Sequence, residues 1–141
     1  MRLALFALLF LKEQMQTKIL IVDDDPVFNL VLREILEEQG YEVRAAGDGK
    51  DGYSNYLSFQ PDLVITDIQM PRCDGLELMR TIRAHNPRIK AIYMSADLNR
   101  FLPLLEEEKR TYKANLLAKP FSKVELFSKV ELMRLVPECE V

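Results

Sequence analysis

The sequence predicts an α/β fold in which a parallel sheet is held between helices. Three observations predict it. Short β-branched runs alternate five times with amphipathic stretches. The clearest of those runs are apolar at nearly every position, as strands buried on both faces are. At 141 residues the chain suits one such domain with a real core, and is too short for two full ones.

The elements follow in order. Lys18–Val22 is the first strand, apolar at all but its first position. Asp25 and Pro26 then open a helix, Asp as N-cap and Pro at the first helical position. Val27, Phe28, Val31, Leu32 and Ile35 form one apolar stripe at helical spacing, and Gly40 stops the helix. Tyr41–Ala45 is a second strand of weaker pattern. A helix over Lys50–Phe59 follows, although Gly52 lies inside it. Pro61-Asp62 introduces Leu63–Thr66, the clearest buried strand, with Asp67 at its end. Asp74-Gly75 leads into a helix carrying Leu78, Met79 and Ile82 on one side and ending near Asn86-Pro87. Ile89–Met94 is the fourth strand. The stretch Asp97–Ala114 reads as a helix whose limits are blurred by Pro103 and the charged Glu106–Arg110. Asn115–Ala118 is a short fifth strand, and a last helix begins after Pro120.

That last helix contains a perfect tandem repeat, Phe121-Ser-Lys-Val-Glu-Leu126 and then Phe127-Ser-Lys-Val-Glu-Leu132. Six residues advance a helix by about 600°, so the copies face different directions. The repeat is therefore a local duplication that lengthens the helix and leaves Phe127 or Leu132 more exposed, and not a solenoid unit. At the other end, Leu3–Leu11 is an unbroken apolar run behind Arg2. It is far short of the roughly 20 residues that span a bilayer. Lys12-Glu13-Gln14 also stand where a signal peptide would have a small-residue cleavage site. Residues 1–16 read as an extension outside the fold, with Met15 a candidate start of the functional chain; an added helix packed on the domain or on a partner is the other reading. Residues 17–136 form the domain, and 137–141 a short tail.

Bulk composition narrows the function. A net charge of -3 gives no reason to expect nucleic-acid binding, which needs a clustered basic surface. Cys73 and Cys139, with His85 the sole histidine, make neither a zinc site nor a disulfide framework and read as reduced thiols in a cytoplasmic protein.

The chemistry-bearing residues collect at one edge. In open parallel sheets, ligands bind outside the carboxyl ends of the strands. Here the first, third, fourth and fifth strands deliver Asp23-Asp24, Asp67, Ser95 and Lys119 to those ends. Carboxylates crowded there repel one another unless a cation joins them. Mg²⁺ takes oxygen ligands from one or two carboxylates and fills its other positions with water and phosphate oxygens. An Asp carboxylate beside such an ion is a nucleophile for phosphoryl groups. Lys119 supplies a positive charge, and the Ser95 hydroxyl can donate to a phosphate oxygen. Singly each residue is unremarkable, since an Asp after a strand commonly caps a helix and Asp25 does so. The weight lies in their order on four strands.

Four segments, Lys18-Ile-Leu-Ile-Val-Asp-Asp-Asp-Pro26, Pro61-Asp-Leu-Val-Ile-Thr-Asp-Ile-Gln-Met-Pro71, Met94-Ser-Ala96 and Ala118-Lys-Pro-Phe121, resemble the signature segments of response-regulator receiver domains of two-component signalling. The resemblance runs from about Lys18 to Val136. It implies a flavodoxin-like doubly wound five-stranded parallel sheet in the order 2-1-3-4-5. It also implies that Asp67 is the phosphoacceptor, that Asp23 and Asp24 form an acidic pocket, and that the Gln69 carbonyl completes the ligands of Mg²⁺ (or Mn²⁺). Ser95 is then the switch hydroxyl, Lys119 pairs with the phosphate, and the Lys119–Pro120 bond is cis. Gln69 and Asp97 stand at positions that modulate hydrolysis of the acyl phosphate in relatives.

The implied partners are a sensor histidine kinase or histidine phosphotransfer protein as donor and a downstream effector protein, with no nucleic acid and no membrane span. The chain departs from the family at Leu116, where an aromatic switch residue is usual, and at Lys113, which replaces a common glycine; the stretch from Ser95 to Lys119 is also slightly long. A stand-alone phosphoacceptor is the expected function, and a phosphorylation-independent interaction module is the alternative. A haloacid-dehalogenase-type hydrolase would need an acid two residues after Asp67, where Gln69 stands. His85, near a helix end, reads as a surface residue and not a phospho-carrier.

Overall fold

The computed structural model describes residues 2–15 and 17–137; Cys139 and the rest of the tail beyond Pro137 lie outside them. Five strands, β1 (Lys18–Val22), β2 (Glu42–Ala46), β3 (Leu63–Asp67), β4 (Lys90–Ser95) and β5 (Ala114–Ala118), pair in parallel in the order β2-β1-β3-β4-β5. The expected strand order is the observed one. Helices α1 (Arg2–Met15), α2 (Pro26–Glu38), α3 (Gly49–Phe59), α4 (Gly75–His85), α5 (Leu98–Thr111) and α6 (Lys123–Leu135) complete the fold.

Side chains alternate across a strand, so the sheet builds two cores. On one face Leu20, Val22, Val64 and Tyr93 meet Tyr56 of α3, Leu78 and Ile82 of α4, and Leu105 of α5. On the other, Ile19, Ile21, Ile65, Ile92 and Met94 meet Leu32 and Leu36 of α2 and Leu126, Val130 and Met133 of α6. Both faces of β1, β3 and β4 are buried, which is why those strands lack a polar alternation, whereas the edge strand β2 keeps Glu42 and Arg44 exposed.

Several elements differ in detail from the sequence reading. The apolar stripe of α2 is offset: Asn29, Leu32 and Leu36 are buried, Phe28 and Ile35 flank them, and Val27 and Val31 remain 68% and 49% exposed. The helix rotates to bury Asn29 because its amide bonds two strand-end carbonyls, as described below. The second strand starts one residue late, since the Tyr41 N–H still donates to Leu36 O in the turn that leaves α2. Helix α5 ends at Thr111 and runs through Pro103, with fully buried Leu105 holding it to the core. Gly52 is not a defect in α3: a Cβ there would meet Val22 and Leu78 at 3.1 Å, so its absence lets α3 lie against β1 and α4.

The duplicated hexapeptide of α6 faces two ways, as helical geometry requires. Leu126 is in the core while Leu132 is 54% exposed, and Val124 is exposed while Val130 is buried. Glu125 of the first copy folds back on the Ser122 N-cap, whereas Glu131 of the second accepts from the Tyr41 hydroxyl at 2.5 Å. The second copy thereby ties α6 to the chain between α2 and β2. On α1, Leu3, Leu5, Phe6 and Leu8 stand in solvent. Among the described residues no helix is long and apolar enough to cross a membrane, and Cys73 is a free thiol.

Candidate functional site

All five strands run in one direction, so the residue after each strand arrives at one edge. Asp23 follows β1 and is almost fully buried. Its backbone N–H donates to Ala46 O at 3.1 Å, and its Oδ1 accepts from the Asp25 N–H at 2.9 Å. Asn29 Nδ2 donates to both Asp23 O (2.8 Å) and Ala46 O (3.1 Å), clamping the ends of β1 and β2 together. Asp24 is exposed at the mouth. Asp25 caps α2 by accepting from the Val27 and Phe28 N–H groups, the capping role expected of it.

Asp67 ends β3, its backbone fixed from two sides. The Thr66 hydroxyl donates to Asp67 O at 2.9 Å, and the Gly75 N–H donates to Ile68 O at 2.9 Å. A Cβ on Gly75 would fall 2.1 Å from Asp67 O, so only glycine lets the start of α4 come this close.

Lys119 reaches the edge from the end of β5. Its Nζ lies 2.6 Å from Asp23 Oδ2 and 3.5 Å from Asp67 Oδ2. Its backbone N–H donates to Ser95 O, and the Lys119–Pro120 bond is cis as expected. Ser95 is buried at the end of β4, its Oγ accepting from the Asp97 N–H at 2.9 Å. In this structure the hydroxyl serves the start of α5. Gln69 lies two residues past Asp67 and is exposed.

The electrostatics follow from these distances. Burial pushes the Asp67 carboxyl above the usual range, the Lys119 ammonium pulls it back down, and the Asp23 charge adds to the upward push. Asp23, Asp24 and Asp67 each present a carboxylate oxygen, all within 4.8 Å of one another. Three carboxylates against one ammonium leave the edge two charges negative. An all-oxygen donor set with that charge fits a hard divalent cation such as Mg²⁺ or Mn²⁺.

The sequence reading thus found the residues that converge, but missed two neighbours. Asn29 lies off the apolar stripe that the sequence offers, and only the folded sheet brings together the Asp23 and Ala46 carbonyls that its amide bonds. Phe28 reads as a packing residue in the sequence, yet its ring centroid lies 4.4 Å from Lys119 Nζ. His85, read as a surface residue, is exposed, with its Nε2 2.7 Å from the Tyr53 hydroxyl.

The family model for the response regulator receiver domain matches residues 19–131. The chain belongs to this family. This receiver domain is similar to sporulation initiation phosphotransferase F of Bacillus subtilis, with 32% identity over 107 residues covering 76% of this chain and 85% of that protein. It is also similar to the transcriptional regulatory protein RprY of Bacteroides fragilis, with 32% identity over 117 residues covering 81% of this chain and 48% of RprY. The receiver domain therefore spans about half the length of RprY and of several other curated relatives. Among solved structures, response regulator TrrA of Thermotoga maritima in complex with Mg²⁺ and beryllium fluoride superimposes with a TM-score of 0.74. The two share 33% identity, covering 84% of this chain and 99% of that one.

Proposed function

We propose that this receiver domain accepts a phosphoryl group on Asp67 from a phosphohistidine of a sensor histidine kinase or histidine phosphotransfer protein, and signals through a protein partner in the cytoplasm. The observation that carries this is a buried Asp67 carboxylate beside the Lys119 ammonium, with two further carboxylates at the same edge.

In this reading an Asp67 Oδ attacks phosphorus in line. A P–O bond to Asp67 forms as the P–N bond to the donor imidazole breaks, and the imidazole leaves with the electron pair. Lys119 Nζ pairs with a phosphoryl oxygen once the Asp67 carboxylate becomes an ester-like anhydride. The Ser95 hydroxyl turns from the Asp97 N–H and donates to another. Asp23, Asp24, Asp67 and the Gln69 carbonyl would hold Mg²⁺ or Mn²⁺, which supplies neutralisation of the charge on the phosphoryl oxygens. Gln69 offers no acid for rapid hydrolysis, so the protein acts as a signalling phosphoacceptor and its only chemistry is on its own aspartate.

The test is incubation with acetyl phosphate and Mg²⁺ followed by intact-mass analysis. Wild type should gain the mass of one phosphoryl group and Asp67→Asn none. The second reading, a phosphorylation-independent interaction module, is favoured by Leu116 at the usual aromatic position and by exposed Leu132 on α6. It predicts no adduct on either protein.

A further inference from the structure

A lysine side chain ends four methylenes from the backbone and is free to swing. Lys119 faces two carboxylates, and the nearer is not the acceptor: Nζ is 2.6 Å from Asp23 and 3.5 Å from Asp67. Ion pairing alone fixes its distance to Asp23 and leaves it free to rotate around that oxygen, including outward to water, since the side chain is partly exposed. Something must restrain the third direction.

The Phe28 ring does so. Phe28 lies in the first turn of α2, half-buried, with its ring centroid 4.4 Å from Lys119 Nζ. The face of an aromatic ring is electron-rich and attracts an ammonium at this distance. The ring is itself braced. Phe121, two residues beyond Lys119, packs edge-on against Phe28 with centroids 5.9 Å apart and planes at 78°. The ammonium therefore sits among Asp23, Asp67 and a ring face, and the segment that carries the lysine also carries the ring's support.

We infer that Phe28 is a positioning residue for phosphoryl transfer: its ring face holds the Lys119 ammonium at the mouth of Asp67, where a phosphoryl oxygen will need it. This rests on the reading of Asp67 as phosphoacceptor. It assigns to Phe28 a role beyond packing, and makes an aromatic ring, not merely an apolar side chain, the requirement at this position.

The experiment compares Phe28→Leu, which keeps apolar bulk, with Phe28→Tyr and Phe28→Trp, which keep a ring face. Acetyl phosphate with Mg²⁺ is the donor, so that no docking protein contributes to the rate. Phe28→Leu should slow the appearance of phosphorylated protein by about three- to tenfold, as loss of a partly exposed cation–π contact implies. Phe28→Tyr and Phe28→Trp should stay within about twofold of wild type. Circular dichroism on each variant checks that it is folded.

A second measurement needs neither phosphate nor metal. In wild type the Lys119 Hε protons lie near the ring and should be shifted upfield in the NMR spectrum, and Phe28→Leu should abolish that shift. Ordinary Lys119 Hε shifts in wild type, or a Phe28→Leu rate equal to wild type, would overturn the inference, as would a tyrosine or tryptophan variant as slow as the leucine one. If wild type shows the ring shift yet never gains phosphate, the positioning contact stands and the phosphoacceptor reading is what falls.

Discussion

Glu108→Ala and Arg83→Met should differ widely in cost, although they delete the two halves of one ion pair. Arg83 on α4 donates through Nη1 to Glu108 Oε2 on α5, and to the Tyr93 hydroxyl of β4 at 3.0 Å. That hydroxyl donates in turn to Glu108 Oε2 at 2.8 Å, and the Tyr112 ring lies 4.1 Å from the guanidinium carbon. The side chains of the pair are 3% and 24% exposed, and Arg83 Nε and Nη2 are buried without a hydrogen-bond partner. Removing Glu108 leaves a nearly buried cation without its counter-charge, for which the cost is about 3–5 kcal/mol. The 24% exposure of the Glu108 side chain lets some water into the space it leaves, which lowers that cost. Glu108→Ala should therefore cost about 2–4 kcal/mol. Arg83→Met instead removes the cation together with its two orphaned nitrogens, and Glu108 relaxes into water through its exposed part. Its cost should stay within about 1 kcal/mol. Urea denaturation at neutral pH, with slopes compared, reads both. Equal costs, or a costlier Arg83→Met, would refute the argument that an uncompensated buried cation governs this site.

Other consequences are independent of that pair. Burial holds the Tyr93 phenol above the ordinary value near 10, with Glu108 adding to the shift against the opposing pull of Arg83. The folded state thus binds that proton more tightly than the unfolded one. The resulting stability is complete below about pH 10 and is lost as pH rises towards the folded-state value, so wild type should lose stability in alkali more steeply than Tyr93→Phe in matched denaturation curves. Gly75→Ala forces a methyl against Asp67 O and should destabilise by roughly 2 kcal/mol or more, whereas Gly47→Ala, with open space around it, should change the melting temperature by no more than a few degrees. Asp24→Asn should weaken Mg²⁺ binding by roughly tenfold or more in a calorimetric titration, since it removes one negative charge from the cluster.

The sheet was legible in the sequence because its central strands are buried on both faces. Apolar runs such as Leu63-Val-Ile need no partner to be read, and the polar residues that end four of the five strands mark one edge of the sheet. What the sequence could not reveal depends on rotation and reach. By spacing alone the α2 stripe takes in both Val31 and Leu32; its rotation in the fold is set by Asn29, whose value lies in the Asp23 and Ala46 carbonyls that only the folded sheet brings together. The Arg83–Tyr93–Glu108 cluster joins residues 10, 15 and 25 positions apart on three elements, and no local pattern announces it. The Phe28–Lys119 contact is harder still to foresee, since its partners stand about three quarters of the domain's length apart in the sequence.

Two groups that the phosphoryl oxygens would recruit already have partners, and the exchange has a direction. The Ser95 Oγ accepts from the Asp97 N–H, and Asp97 is the N-cap of α5 with no side-chain capping bond of its own. When the hydroxyl turns away, the start of α5 loses that tie. The first turns are also held weakly from within, because Pro103 has no N–H to return to the Asn99 carbonyl. The far end is different: Glu108 is locked to Arg83 and Tyr93. Helix α5 should then move at its beginning and stay fixed at its end. No ring need rotate at Leu116, which lies beside Tyr93 in the β4–β5 register. Adding beryllofluoride with Mg²⁺ should concentrate backbone NMR shift changes within α5 at its first turn, before Pro103, and leave the turn around Glu108 nearly still. Uniform changes along the whole of α5 would mean the helix translates as a body, and that the buried ion pair does not anchor it.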